Sequence, residues 1–419
     1  MLGSPVMEHV AVVGASLAGL RACESLRTDG YTGRISLIGA EAEMPYDRPP
    51  LSKKFLAGEW EADRIRLRKP DDFSALGLDL RLGCAATGFD SASRTLTCAD
   101  GEELRADGVI IATGAAPRRL PGQPDIDGVV VLRTLADSLD LRARLAGGTA
   151  RLVVIGAGFI GLEAAATARH LGCTVTVLEG APSPLIRGLG VAMGAAVASV
   201  HQRHDVEIRC GIRIVALEGA SSGGVMRVTG VRLGDNTVVP ADVVVVGIGV
   251  APATEWLVGS GLVLDDGIVC DDTLSAGVPG VYAAGDCARW HNHMFDPHDD
   301  AVMRVEHWTN AAEQGAAAAR SLLAWSSGAD APVYESVPFF WSDQFDSRIQ
   351  FLGRAHGGDE VHVFAGDPAG AFAALYGHEG RLRGVLGVSM PRMVMPFRAL
   401  LGAQATWADA LAKAAALTG

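Results

Sequence analysis

Short apolar runs that close into glycine turns recur along this chain, and two of them are followed by residues with helical spacing. His9–Val13 enters Gly14-Ala15-Ser16-Leu17-Ala18-Gly19, a helical stretch over residues 20–26 follows, and a strand over 34–38 ends at Gly39-Ala40-Glu41. The pattern then repeats. Residues 152–155 enter Gly156-Ala157-Gly158-Phe159-Ile160-Gly161, a helix runs through about His170, and the strand Thr174–Leu178 closes on Glu179. Each copy reads as a β-turn-α-β unit with an acid shortly after its second strand. Two further apolar runs end in turns, Val109-Ile110-Ile111 at Ala112-Thr113-Gly114 and Val281-Tyr282-Ala283-Ala284 at Gly285-Asp286-Cys287.

These residue types suit dinucleotide binding. The first glycine makes the tight turn, the middle one lets backbone N–H groups approach a pyrophosphate, and the third lets helix and strand pack closely. The helix N-terminus then offers unpaired donors to the phosphates, and the trailing carboxylate accepts from ribose hydroxyls. One such loop is weak evidence; two in one chain, each with its strand, helix and acid, predict two dinucleotide sites. In the second copy Glu179 directly ends its strand, where it would repel a 2′-phosphate, and no arginine follows until Arg187. NADH is therefore expected over NADPH. The first copy has Ser16 at the middle position and Ala40 after Gly39, so its acid must come from Glu41. In two-dinucleotide flavoproteins a Gly-Asp turn at this place puts its carboxylate on the ribityl chain, so the likeness of Gly285-Asp286 implies that the first copy is the FAD site, with Asp286 in that role. The expected fold is α/β, with two Rossmann-like dinucleotide-binding domains, the FAD domain split by the inserted NAD domain, and a C-terminal α+β domain. The boundaries are 1–115 and 250–325 for the FAD domain, 116–249 for the NAD domain and 326–419 for the last.

Composition agrees with several soluble domains: 419 residues with 52 glycines and 6% aromatics. No apolar run approaches the ~20 residues needed to span a bilayer, and the N-terminus lacks a secretory pattern, with Met7 a possible start. A net charge of −12 argues against nucleic acid as a partner. The seven cysteines, Cys23, Cys84, Cys98, Cys173, Cys210, Cys270 and Cys287, are odd in number and irregularly spaced. They fit reduced, buried thiols in a cytoplasmic protein.

Three longer segments carry a specific likeness: Met44-Pro45-Tyr46-Asp47-Arg48-Pro49-Pro50-Leu51-Ser52-Lys53, Arg304-Val305-Glu306-His307-Trp308-Thr309-Asn310-Ala311-Ala312-Glu313-Gln314 and Pro338-Phe339-Phe340-Trp341-Ser342-Asp343-Gln344. With these the chain resembles, over nearly its whole length, the oxygenase-coupled NADH–ferredoxin reductases. The resemblance implies that Lys53 and Arg48 lie near the flavin and that Ala86, Arg133 and the backbone of Trp308 contact FAD. It also implies that Glu163, in the first turn of the second glycine-loop helix, lies beside the nicotinamide and pairs with Lys53; Glu163 and Lys53 are the candidate catalytic residues. Trp308 opens an alanine-rich helix through Ala319, whose N–H groups would face the flavin pyrimidine. Trp341 suits either core packing or a place by the electron exit.

The implied reaction is hydride transfer from NADH to FAD, then single-electron transfer to an acidic two-iron ferredoxin that feeds a haem-thiolate or Rieske-type oxygenase. Disulfide-reducing relatives need a thiol in the segment where this chain has Tyr46-Asp47-Arg48-Pro49-Pro50, so a thiol relay is excluded, and no grouped cysteines hold an iron–sulfur cluster. Rubredoxin reductase and a redox-sensing interaction protein like apoptosis-inducing factor are the alternatives. Residues 64–69 alternate like a half-buried strand, with Arg68 the choice for steering a ferredoxin. The cluster His291, His293, Asp296, His298, Asp299 and Asp300 reads as a polar excursion, so no metal is assigned. Residues 326–330 read as a linker. The oligomeric state stays open.

Overall fold

The computed structural model describes residues 7–123, 125–295 and 301–419. The chain forms two compact units, one of residues 1–47, 66–116 and 251–338, the other of 48–65, 117–250 and 339–419.

The first unit is built on a five-stranded parallel sheet in the order Val281–Ala283, Gly108–Ile111, His9–Val13, Arg34–Gly39, Asp79–Leu82. The central strand is His9–Val13, and Val12 registers with Leu37 on one side and Ile110 on the other. Helices cover a parallel sheet on both faces, which is why its strands read as unbroken apolar runs. The helix Leu17–Thr28 packs along Trp308–Ser327. Their approach needs Gly315, where a β-carbon would sit 2.2 Å from the Ala18 carbonyl oxygen. The second helix is longer than its alanine-rich stretch suggested. It runs through Ser326 and Ser327 and ends on Gly328 in the left-handed conformation, so these serines form its last turn rather than a linker.

In the second unit the parallel sheet runs Glu207–Arg209, Thr174–Leu178, Arg151–Ile155, Val243–Val246, Val129–Val130. An antiparallel sheet of Phe339–Gln344, Ser347–Gly353, Arg381–Val388, Phe372–His378 and Glu360–Gly366 belongs to the same unit, followed by the helix Trp407–Thr418. One apolar core joins the two sheets, including Val154, Leu162, Leu189, Phe351, Tyr376 and Leu386. Phe159 meets Phe340 edge-on at 4.7 Å, and the buried Tyr376 hydroxyl donates to the Leu189 carbonyl at 2.8 Å.

Residues 64–69 are not a strand. Residues Ala62–Ile65 form a 3-10 turn, Leu67 donates to the Pro45 carbonyl, and Lys69 caps the helix Pro70–Leu76. The alternation arises because Ile65 and Leu67 point inward from two irregular segments, and Pro70 at the helix start removes a ladder donor. Arg68 is ion-paired with Glu24 at 2.5 Å.

Candidate functional site

In the first unit, Gly14 turns at φ +120°, and a β-carbon there would lie 2.0 Å from the Ala112 carbonyl oxygen, while one at Gly19 would lie 1.9 Å from the Gly14 oxygen. Strand, turn and helix therefore close on one another. Ser16 is the N-cap of Leu17–Thr28, yet its side chain makes no capping bond and no acid stands in the first turn, which leaves Leu17, Ala18 and Gly19 at an N-terminus suited to an anion. Glu41 follows the next strand, and the Tyr46 hydroxyl donates to its carboxylate. Ala112, Thr113 and Gly114 end the neighbouring strand, with the Thr113 hydroxyl donating to the Ala253 carbonyl at 2.8 Å.

Gly285 and Asp286 form a short 3-10 turn at the end of Val281–Ala283. The Gly285 N–H donates to Oε1 of the fully buried Gln314 at 2.8 Å, and Arg304 donates to the Asp286 carbonyl at 3.1 Å. Trp308 is the first residue of its helix, whose N-terminus has no side-chain cap and no first-turn acid, and its indole N–H donates to Asp47 at 2.7 Å. Ala86 opens the strand Ala86–Asp90, half-buried opposite Cys98.

The second unit repeats the cradle. Gly156 turns at φ +100°, where a β-carbon would lie 2.3 Å from the Gly247 oxygen, and one at Gly161 would lie 2.5 Å from the Gly156 oxygen. Gly158, between them, has nothing within 4 Å of a built β-carbon. Its missing side chain answers no packing need inside the protein and leaves open space at the start of the helix. The helix Phe159–His170 starts there without a side-chain cap, and Ile160 in its first turn is 44% exposed. Glu179 accepts from the Ala157 and Ala181 N–H groups, each at 2.7 Å. Spacing along the chain missed Arg209, whose carbonyl accepts from the Glu179 N–H on the neighbouring strand at 2.9 Å; its guanidinium turns to Glu207 at 2.8 Å.

Glu163 is the fifth residue of that helix, in its second turn rather than its first. That distance puts it beyond the reach of the helix dipole, an effect confined to the first turn. It is 5% exposed, and its carboxylate accepts from Ser52 Oγ at 2.5 Å, Lys53 Nζ at 2.6 Å and Ser342 Oγ at 2.5 Å. The expected pairing with Lys53 is formed. Lys53 also donates to the Pro49 carbonyl at 3.0 Å and Ser52 Oγ at 3.4 Å, so all three ammonium hydrogens have acceptors. Arg48 donates to the Arg133 carbonyl at 2.8 Å, and Arg133 precedes Thr134, the N-cap of Leu135–Leu145.

Residues 8–315 match the family described as pyridine nucleotide-disulphide oxidoreductase, and residues 339–417 match the reductase C-terminal family. The chain belongs to the pyridine nucleotide-disulphide oxidoreductases. It is 37% identical to a ferredoxin–NAD(P)(+) reductase from Sphingomonas sp, covering 89% of this chain and 87% of that one. It is also 37% identical to the anthranilate 1,2-dioxygenase system ferredoxin–NAD(+) reductase component from Burkholderia cepacia, over 94% of each chain. The reductase in the crystal structure of the covalent putidaredoxin reductase–putidaredoxin complex superposes with a TM-score of 0.88 at 34% identity, over 95% of this chain and 93% of that one.

Oxidoreductases of this family use FAD and NAD(H), and the residues present fit both. Two uncapped helix N-termini suit two pyrophosphates, Glu41 and Glu179 suit ribose hydroxyls, Asp286 suits a polyol, and the open space at Gly158 suits a close phosphate. Despite the family's title, no cysteine lies in the Tyr46-Asp47-Arg48-Pro49-Pro50 segment. All seven are free, five buried and Cys84 and Cys210 half-buried. Burial pushes up the thiols of Cys23, Cys98, Cys173, Cys210, Cys270 and Cys287, which opposes the thiolate a relay needs.

Two groups of described residues bring metal-type donors together: Cys84, Cys98 and Asp100, and His356, Asp359 and His378. The Cys98 thiol is pushed up to about 12 by burial and then by Cys84, and burial pushes the Asp359 carboxyl up, so the anionic form is disfavoured in both sets. His293 lies 3.0 Å from Asp272, whereas Asp296, His298, Asp299 and Asp300 fall outside the described residues. No described helix is long and apolar enough to cross a membrane.

Proposed function

We propose that this protein is an NADH:ferredoxin oxidoreductase, in which a hydride passes from NADH to FAD and electrons leave singly to a two-iron ferredoxin serving a haem-thiolate or Rieske-type oxygenase. The observation that carries this reading is the duplicated cradle: two glycine turns, each opening an uncapped helix and each with its own carboxylate, in a chain without a cysteine at the relay position. The names of the similar proteins, a dioxygenase reductase component and putidaredoxin reductase among them, support the acceptor class. Free thiols support a cytoplasmic setting.

FAD, when bound, supplies the change from two-electron to one-electron chemistry. The protein's own part is to bind and orient. The N–H groups after Ser16 and Gly158 hold the pyrophosphates, and Glu41 and Glu179 hold the adenosine riboses. Asp286 holds the ribityl chain, with its turn fixed by Gln314 and Arg304. The uncapped start of Trp308–Ser327 favours negative charge on the reduced flavin pyrimidine. Arg48, Arg133 and Ala86 complete the flavin contacts.

A carboxylate offers about four acceptor positions, and Glu163 spends three on Ser52, Lys53 and Ser342. The remaining one suits an N–H of the nicotinamide carboxamide. Lys53, with its donors spent on Pro49, Ser52 and Glu163, acts as a positioning residue.

Steady-state NADH oxidation with ferricyanide, then with purified two-iron ferredoxin and with rubredoxin, tests the reading. Turnover with ferricyanide and ferredoxin is expected. Preference for rubredoxin would replace the acceptor, and negligible turnover with every acceptor would point to a redox-sensing interaction protein.

A further inference from the structure

Behind Glu163 runs a chain of buried polar side chains that hydride transfer itself does not require. Ser342 Oγ donates to Glu163 Oε1 at 2.5 Å, Gln344 Nε2 donates to Ser342 Oγ at 3.0 Å, and His201 Nε2 lies 2.8 Å from Gln344 Oε1. Ser342, Gln344 and His201 are each no more than 1% exposed. They come from the C-terminal strand Phe339–Gln344 and the helix Ile186–Arg203.

The direction of every bond in this chain is determined. Ser342 has one hydrogen, and the short contact to the carboxylate takes it, so Gln344 must present its N–H side to Ser342 and its oxygen to His201. His201 must then carry its hydrogen on Nε2. Its Nδ1 is buried without a hydrogen-bond partner, as a neutral ring with its hydrogen on the other nitrogen leaves it. At the far end Lys53 and Ser52 also donate to Glu163. All donors therefore converge on one carboxylate.

We infer that His201, Gln344 and Ser342 form a one-way hydrogen-bond relay that fixes the rotamer of Glu163, which makes the C-terminal domain a determinant of how the nicotinamide carboxamide is recognised. This inference rests on the placement of Glu163 beside the carboxamide argued above. The relay belongs to positioning: none of its three members needs to touch the coenzyme.

The test uses the flavin-loaded enzyme and two coenzymes, NADH and its reduced 3-acetylpyridine analogue, which keeps the carbonyl but lacks the amide N–H. With the relay intact, the KM for the analogue should exceed that for NADH by about tenfold, as expected for one lost hydrogen bond to a charged acceptor. Gln344→Leu cuts the relay, and the two KM values should converge to within about threefold. Gln344→Glu reverses one bond, because a carboxylate cannot donate to Ser342 until it is protonated; its discrimination should return as pH falls through the titration of that carboxyl, while the unmodified protein shows no such trend. Calorimetric binding of NAD+ and its oxidised acetylpyridine analogue gives the same comparison without turnover. It keeps the test valid if a variant reduces acceptors poorly, and the unmodified protein alone must show the discrimination. NADH oxidation with unchanged discrimination in Gln344→Leu would overturn the relay and leave the oxidoreductase reading standing. Absence of NADH oxidation and NAD+ binding would overturn both.

Discussion

Replacing Glu179 should move the enzyme from NADH toward NADPH, and the size of the effect follows from the geometry around that carboxylate. Glu179 is half-buried at the end of Thr174–Leu178, its two oxygens held by the Ala157 and Ala181 N–H groups at 2.7 Å each. Those bonds fix the carboxylate where an adenosine ribose would meet it. A 2′-phosphate there brings negative charge to within about 4 Å. At an effective dielectric near 20, each pair of unit charges then costs about 4 kcal/mol, which solvent at a half-buried site reduces. A preference for NADH of about 10²–10³ in kcat/KM follows, at 1.4 kcal/mol per tenfold.

The change that reverses it is Glu179→Ser with Gly180→Arg. Gly180 is exposed, and a β-carbon there meets nothing nearer than the Ile212 carbonyl oxygen at 3.8 Å, so an arginine enters without moving the backbone. Arg209 does not fill this role in the native chain because its guanidinium is committed to Glu207 at 2.8 Å. The double variant should lose about tenfold with NADH, as the ribose hydroxyls lose their acceptor, and gain at least about 100-fold with NADPH. The assay is initial-rate ferricyanide reduction with each coenzyme. Equal use of NADH and NADPH by the unmodified protein, or an unaltered ratio after Glu179→Ser alone, would refute the electrostatic argument.

Gly158→Ala, at the glycine with open space around it, should leave the unfolding midpoint within the change expected of a neutral surface substitution, about 0.5 kcal/mol, yet raise the KM for NADH at least tenfold. A stability loss without a KM change would show that the space is not the phosphate's. Gly315→Ala should destabilise the first unit by about 1–3 kcal/mol, read as a lower temperature of flavin release, because its β-carbon would meet the Ala18 oxygen at 2.2 Å. In a double-mutant cycle of Lys53→Met and Glu163→Gln, the coupling read from urea midpoints should be about 2 kcal/mol, since the pair is 17% and 6% exposed; coupling under about 0.5 kcal/mol would mark it as solvent-screened. Burial, opposed by the Gln344 bond, lowers the His201 ring to about 4 from an ordinary 6.5. Above pH 6.5 neither folded nor unfolded chain holds this proton. Between 6.5 and about 4 only the unfolded chain takes it, so stability should fall by roughly 3 kcal/mol across that window, and His201→Gln should flatten the fall in acid titrations of unfolding.

The parts of this molecule legible in its sequence are those set by local period. Val10–Val12 and Val243–Val246 read as buried parallel strands because helices cover both faces, and the glycine turns read as cradles because strand, turn and helix must touch. Period failed at residues 64–69, where two irregular segments ending at a helix-starting proline imitate alternation. The acid proposed to meet the nicotinamide marks the deeper limit. Glu163 was visible as a residue, but its environment comes from Ser52, 111 positions away, and Ser342, 179 away, with Gln344 lying 143 from His201. Those serines and the glutamine stand inside two of the three motif segments that carry the family likeness, at positions that look like ordinary strand or turn residues. Their role appears only when the fold supplies a buried carboxylate that needs donors. Burying that carboxylate without a partner would cost several kcal/mol, so one lysine and two hydroxyls hold it where the fold buries it, and a directed amide holds one of those hydroxyls.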